Sequence, residues 1–93
     1  MKLEIVRTRR FKTAFKRVRR LNAFKEDVFE DVVHTLAEGK QLPGKHKDHR
    51  LAGALAAYRE CHIAPDILLV YAIDDDVLVL TLVNVGNHAQ LFG

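Results

Sequence analysis

The chain has 93 residues, 48% of them hydrophobic and 29% charged, which fits one small globular domain spanning residues 1–93 and argues against a disordered segment. The longest apolar run, Ile67 to Ile73, is too short to cross a bilayer, and no signal peptide is recognisable, so we expect no membrane partner. The single cysteine, Cys61, cannot form a disulfide within the chain, which favours a cytoplasmic location.

The formal net charge of +3 is unevenly distributed along the chain. Residues 1–25 carry ten Lys or Arg and one Glu, a balance of +9, whereas residues 26–93 carry five Lys or Arg and eleven Asp or Glu, a balance of −6. A positive field of this strength suits a polyanion, either a nucleic acid or an acidic protein. A solvated helix face explains the charge equally well.

The first half of the chain predicts a strand followed by two helices. Residues 2–7 alternate polar and apolar side chains, as in a short strand, and Thr8 is placed to cap a helix. Apolar residues then recur at helical spacing, at Phe11, Phe15, Val18 and Leu21. A second amphipathic helix is predicted from Phe24 to Glu38, with acidic residues in its first half and Gly39 at its end.

The second half predicts a loop and three strands. Residues 40–50 are expected to form a basic loop, in which His46 is solvated, and residues 51–56 continue the connection. The strands are predicted from Tyr58 to His62, from Asp66 to Ile73 and from Val77 to Val83. The predicted fold class is therefore α+β, in the order β-α-α-β-β-β, with both helices on one face of a small, mainly antiparallel sheet. The other face is left free for a site.

Four ionisable side chains are predicted to meet at one end of this sheet, because a hairpin joins two of them and the last strand returns beside it: His49, His62, Asp66 and His88. Lys47 and Arg50 lie in the same loop as His49. Taken singly, each of these residues is more simply read as a capping, turn or surface residue.

Two imidazoles near neutral pH can act as general base and general acid in RNA cleavage by the ribose 2′-OH, with cations stabilising the charged phosphorane. Three His and one Asp could instead hold zinc, but their spacing matches no zinc motif and the neighbouring cations oppose a dication. We therefore expect no metal ligand and no cofactor.

Three blocks, "KDHRLAG", "YRECHIAPDILLVY" and "GNHAQLFG", resemble the signature blocks of YafQ-type toxins of the RelE superfamily of toxin–antitoxin modules. The resemblance covers about residues 40–93 in its motifs and implies a RelE-like fold. It also implies a metal-independent endoribonuclease that cleaves mRNA in the ribosomal A site. The partners it implies are a cognate antitoxin and, only through the antitoxin complex, operator DNA.

The resemblance also implies roles for individual residues. The four ionisable residues above match the family's catalytic positions, and His88 matches the general acid, while the general base stays open among His49, His62 and Asp66. Phe92 matches an aromatic residue that stacks on or positions a base. Arg59 matches a basic strand residue that contacts the substrate.

One position departs from the family pattern. Asn84 stands where members commonly have an arginine that contacts the scissile phosphate, and an amide cannot supply that charge. Arg59, Lys47 or Arg50 could compensate. A second hypothesis is therefore a catalytically weak RNA- or ribosome-binding protein that still binds an antitoxin. A third, a ParE-like gyrase inhibitor on the same fold, is disfavoured by the clustered histidines.

Overall fold

The computed structural model describes residues 2–92 and contains five strands and three helices. In chain order these are β1 (Glu4–Arg7), α1 (Arg9–Val18), α2 (Glu26–Ala37), β2 (His49–Arg50), β3 (Arg59–Ala64), β4 (Ile67–Asp74), β5 (Val79–Gly86) and α3 (His88–Phe92). Single 3₁₀ turns at Gly44–His46 and Gly53–Leu55 lie on either side of β2.

The strands form one sheet in the order β1-β5-β4-β3-β2. β1 pairs with β5 in parallel, and the other pairs are antiparallel. This arrangement confirms the predicted α+β class, with its mainly antiparallel sheet and two N-terminal helices.

Several predicted boundaries were wrong. The basic loop contains the two-residue strand β2, which is too short to show a period-2 pattern. β3 continues to Ala64 because only Pro65 and Asp66 form the turn, so Asp66 lies in the hairpin turn rather than in β4. β5 runs from Val79 to Gly86, beyond the predicted end at Val83, and α3 follows where no helix was predicted.

Thr8 caps α1 as predicted and also attaches the helix to the sheet. Its hydroxyl accepts a hydrogen bond from the Phe11 amide at 3.0 Å and donates one to the Val83 carbonyl at 2.7 Å. The helix ends at Val18, so Leu21, predicted to extend the apolar stripe, lies in the following turn with 48% of its surface exposed. α2 ends before Gly39, whose φ of 75° is the left-handed conformation that glycine adopts without strain.

Four phenylalanines from the helical hairpin form the centre of the core, with neighbouring ring centroids 4.8–6.2 Å apart: Phe11, Phe15, Phe24 and Phe29. These rings belong to one hydrophobic cluster with alternate residues of the sheet, which include Cys61, Leu69, Tyr71, Leu80, Leu82 and Val85. Full burial of a phenylalanine contributes about 1.5–3 kcal/mol, so this cluster dominates the stability of the domain.

Along each strand, the residues that alternate with these core residues point to the opposite face of the sheet. Leu68 and Val70 of β4 are buried but lie outside the cluster beneath the helices, as the alternation of a strand requires. Neither α1 nor α2 covers that face. Within residues 2–92, no helix combines the length and apolarity that a membrane crossing needs.

Candidate active site

Two rows of paired residues cross the sheet face that lies away from α1 and α2. In the first row, His49 pairs with Glu60, Glu60 with Val70, and Val70 with Asn84. This row spans β2, β3, β4 and β5 and brings together residues that are up to 35 positions apart in the sequence. The register therefore places the predicted His49 and Asn84 on the same surface.

The second row lies two residues further along the strands, where His62 pairs with Leu68, and Leu68 with Gly86. Neighbouring strands are about 4.8 Å apart, so the Cα atoms of His62 and Gly86 are separated by about 10 Å. His88 follows Gly86 by two residues, and Asp66 lies in the exposed turn two residues before Leu68. His62, Asp66 and His88 therefore share one end of the sheet.

The His49 ring is held by two contacts. Its Nδ1 lies 2.8 Å from the Lys47 carbonyl oxygen, and its Nε2 lies 3.5 Å from Oε1 of Glu60. Because a carbonyl only accepts, Nδ1 must carry a proton, and the Nε2 facing Glu60 is the atom that can gain or lose one. The Glu60 side chain is only 5% exposed, whereas the His49 side chain is 52% exposed, so solvent and substrate can reach the imidazole.

The loop before β2 is fastened to β3 by a second histidine. His46, expected to be solvated, is buried, and its Nδ1 donates to the His62 carbonyl at 2.8 Å. The loop folds back because the 3₁₀ turn at Gly44–His46 ends at Lys47, which has a left-handed φ of 50°. This hydrogen bond provides a partner for the His62 carbonyl, which lies beyond the two residues of β3 that pair with β2, and it fixes the backbone position of His62.

The C-terminal helix α3 begins with a reciprocal cap. Oδ1 of Asn87 accepts from the Gln90 amide at 2.8 Å, and Oε1 of Gln90 accepts from the Asn87 amide at 2.9 Å. The ring centroids of His88 and Phe92, one helical turn apart, are separated by 5.0 Å with a 58° tilt. The cap thus fixes the direction of the chain immediately before His88 and keeps the imidazole and the phenyl ring together.

Two of the predicted substrate-binding cations lie on the other side of the sheet. Arg59 donates to Asp48 from Nε at 3.4 Å and from one terminal nitrogen at 3.1 Å, and Arg50 pairs with Arg59 across β2 and β3. Both arginines line a cleft of about 810 Å³ beside the end of α2, away from His49 and Glu60. Lys47 is exposed on the loop, where the two faces meet.

Asn84 lies on the same face as Glu60 and does not bring a cation there. Its Oδ1 accepts a hydrogen bond from the amide of its own neighbour, Val85, at 2.9 Å. The half-buried amide is therefore partly engaged by the backbone. Since Arg50 and Arg59 are directed elsewhere, the charge missing at Asn84 is not replaced by either of them.

The sequence prediction omitted Glu60, which the structure places at the centre of the first row. A signal was available, because Glu60 precedes His62 by two residues in a predicted strand and so had to share its face. Asp48 and Tyr71 were omitted as well. The Tyr71 hydroxyl donates to Asp48, and burial, followed by this carboxylate, raises the pKa of Tyr71 well above its usual range. No sequence spacing indicates that contact.

Solved structures of bacterial toxins are similar to this chain. A metal-bound toxin from Helicobacter pylori is 40% identical, with a TM-score of 0.88 over 97% of this chain and 99% of that one. The toxin of the Escherichia coli DinJ–YafQ toxin–antitoxin complex is 26% identical, with a TM-score of 0.86 over the full length of both chains. The fold is thus that of RelE-like toxins.

A sequence profile of the YafQ family, described as the bacterial toxin of a type II toxin–antitoxin system, matches residues 3–93. The chain belongs to this family. Among curated proteins, the mRNA interferase toxin YafQ of Escherichia coli K12 is 42% identical over 52 residues, or 56% of this chain. The match spans 54%, about half, of the length of that relative.

The solved Helicobacter pylori toxin is metal-bound, which raises the question whether side chains of this chain could also bind a metal ion. Between residues 2 and 92, no three His, Cys, Asp or Glu side chains are grouped closely enough to hold a metal ion. His49 and Glu60 contact each other and have no third ligand of this kind beside them. The residues present do not fit a metal centre.

Proposed function

We propose that this chain is the toxin of a type II toxin–antitoxin module and acts as an endoribonuclease on mRNA at the ribosome. Membership of the YafQ family and the name of the Escherichia coli relative support the class of activity. The observation that carries the proposal is the contact between His49 and the buried Glu60, on the same open face of the sheet as His62.

In the proposed reaction, Nε2 of His49 takes the proton of a ribose 2′-OH. The 2′-oxygen attacks the adjacent phosphorus while the bond from phosphorus to the 5′-oxygen breaks, and His88 donates its proton to that leaving oxygen. The products are a 2′,3′-cyclic phosphate and a free 5′-hydroxyl. Glu60 stabilises the His49 imidazolium formed in the first step, and no step requires a metal ion.

The other site residues have supporting roles in this proposal. His62 and Asp66, at the same end of the sheet, orient the substrate and its proton donors. Phe92 offers a stacking surface next to His88 for a base of the RNA. Lys47 contacts the phosphate backbone from the edge of the site.

Phosphorane stabilisation is the weakest part of this site. Asn84 supplies no charge, and Arg59 is bonded to Asp48 on the other face. These contacts favour a second candidate function, a slow toxin that binds the ribosome and its antitoxin but cleaves poorly. The two candidates share every residue of the site and differ only in rate.

We also propose a cognate antitoxin as partner, because the Escherichia coli toxin of the same fold was solved in a toxin–antitoxin complex. The proposed contact with operator DNA runs only through that complex. The exposed cations of α1 provide a surface for ribosomal RNA or for an acidic antitoxin segment: Arg9, Arg10, Lys12, Lys16 and Arg17.

The test is primer extension on a defined mRNA in a reconstituted translation reaction. We expect the wild type to cut within A-site codons and His88→Ala to be slower by about 10²–10⁴-fold, as is usual for the loss of a general acid. The matched control is His34→Ala, since His34 is an exposed histidine on α2, away from the site. Equal cleavage by wild type and His88→Ala would refute the mechanism.

The same assay separates the two candidates through Asn84→Arg. An oriented cation at the phosphorane should raise the cleavage rate by at least about tenfold, since removing one such donor from an enzyme costs about 10²–10³-fold. Cleavage only in Asn84→Arg would identify a toxin scaffold with a weakened site. No cleavage by either protein, with intact ribosome binding, would overturn the nuclease.

A further inference from the structure

The three side chains of Asp48, Arg59 and Tyr71, here called the Asp48 anchor, form a polar cluster on the sheet face opposite His49. Asp48 accepts two hydrogen bonds from Arg59 and one from the Tyr71 hydroxyl. Arg59 belongs to β3 and Tyr71 to β4, so one carboxylate is tied to two neighbouring strands. Asp48 immediately precedes His49.

Apart from the hydrogen bond from His46 to the His62 carbonyl and the contact between His49 and Glu60, the short strand that carries His49 is held only weakly by its own backbone pairing. β2 has two residues and sits at the edge of the sheet, paired only with Arg59 and Glu60 of β3. The backbone bond from the Leu51 amide to the Tyr58 carbonyl, at 3.0 Å, extends this pairing by one step. A strand this short frays readily unless side chains hold it in place.

The chemistry of the Asp48 anchor makes it directional and strong. Tyr71 is 1% exposed, and its raised pKa keeps the hydroxyl protonated, so it serves Asp48 as a donor. The hydrogen bonds to Asp48 also raise the pKa of Arg59. Hydrogen bonds to an ionised carboxylate are stronger than neutral ones, and here both strands donate to the same group.

We propose that the Asp48 anchor positions the proposed general base, by holding β2 so that Nε2 of His49 stays against Glu60. This inference rests on the proposed nuclease and changes the role of Arg59. Arg59 acts through Asp48 as a positioning residue rather than by binding RNA. Asp48 and His49 are adjacent residues on opposite faces, so fixing one side chain fixes the other.

The first experiment measures the local stability of β2 and does not depend on catalytic activity. Amide hydrogen exchange is recorded for the full-length wild type, Tyr71→Phe and the control Tyr58→Phe, whose ring lies outside the anchor. Loss of one hydrogen bond to a carboxylate should make the Leu51 amide exchange about tenfold faster in Tyr71→Phe. The Glu4 amide, bonded to Leu78 at the opposite edge of the sheet, should be unchanged.

The second experiment links this hold to cleavage by the same proteins. Single-turnover cleavage by Tyr71→Phe should slow by at most the factor seen in exchange, because cleavage follows the closed population of β2, with unchanged binding to mRNA-programmed ribosomes. Arg59→Lys keeps one charged donor and should retain more of the rate than Arg59→Gln. Tyr58→Phe should behave as wild type.

Three results would overturn the proposal. Unchanged Leu51 exchange in Tyr71→Phe and Arg59→Gln would show that the cluster does not hold β2. Faster exchange with unchanged cleavage would show that catalysis does not depend on holding β2 in place. Equal losses of ribosome binding and cleavage rate in Arg59→Gln would show that Arg59 contacts the RNA instead. If the wild type itself does not cleave, the nuclease fails, and the exchange data alone decide whether the cluster holds β2.

Discussion

Replacing Gly86 by alanine should disturb the site without disturbing the core. A Cβ atom at Gly86 would lie 2.6 Å from Oε1 of Gln90, closer than such atoms approach in proteins. That oxygen accepts the Asn87 amide hydrogen bond at 2.9 Å, so it cannot move away without opening the cap of α3. Gly86→Ala therefore relieves the clash between the new Cβ atom and Gln90 only by breaking the hydrogen bond between Gln90 and the Asn87 amide.

The magnitude follows from the cap. Loss of a capping hydrogen bond costs about 1 kcal/mol, which multiplies the frayed population of the helix by about five. α3 has five residues, none of them buried, so it has little other stabilisation. His88 is its first residue, and the cleavage rate follows the fraction of α3 that stays folded, so we expect Gly86→Ala to cleave mRNA up to about fivefold more slowly, with almost no change in melting temperature.

The assay compares cleavage by Gly86→Ala, Gln90→Ala and the double variant. Gln90→Ala should slow the reaction to a similar extent, and the double variant should be no slower than Gln90→Ala, because the clashing group is then absent. Gly44→Ala is the matched control, since a Cβ there meets no atom within 4 Å. Additive losses in the double variant, or a large fall in melting temperature, would refute this reasoning.

Two further predictions concern stability. Thr8→Ala removes the cap of α1 and the hydrogen bond to the Val83 carbonyl, and should lower the free energy of unfolding in urea by about 1–2 kcal/mol. Thr8→Ser keeps the hydroxyl and should retain most of this stability. Equal losses in the two variants would contradict the capping role. Burial raises the pKa of Cys61 from 9.0 to about 12, so between these values the unfolded chain binds fewer protons than the folded one, and the free energy of unfolding should fall as the pH rises, by up to about 1.4 kcal/mol per pH unit. The free energy of unfolding is measured by urea titration at pH 8, 9.5 and 10.5 for the wild type and Cys61→Ala. Below pH 10, this free energy should fall less steeply with pH in Cys61→Ala than in the wild type, and equal pH dependence would contradict the prediction. At higher pH, the buried Tyr71 adds a loss of the same sign in both proteins.

Local signals in the sequence were sufficient for the main elements of the fold. The apolar spacing of Phe11, Phe15 and Val18, the cap at Thr8 and the stop at Gly39 all depend on neighbours within one helical turn. The strands around the Pro65 turn were visible for the same reason. The boundaries failed where no periodic pattern exists, in the two residues of β2 and in the short α3.

The sequence also indicated which residues to consider at the site. It predicted His49, His62, Asp66 and His88 as candidates and the departure at Asn84, and these remain predictions. The order of the strands predicted that the four would meet at one end of the sheet, where the structure places His62, Asp66 and His88, with His49 one row away. The resemblance to the YafQ toxins rested on three blocks in the second half of the chain, and the family match over residues 3–93 confirmed it.

Only the tertiary structure decided which groups face each other. Whether Arg59 meets RNA or Asp48, and whether His49 faces Glu60 or solvent, depends on the register of β2 on β3 and on the parity of each residue along its strand. A shift of β3 by one residue would exchange its two faces and place Arg59 in the row that contains Val70 and Asn84. Register is set by the combined packing and pairing of residues distant in the chain, which no short stretch of sequence contains.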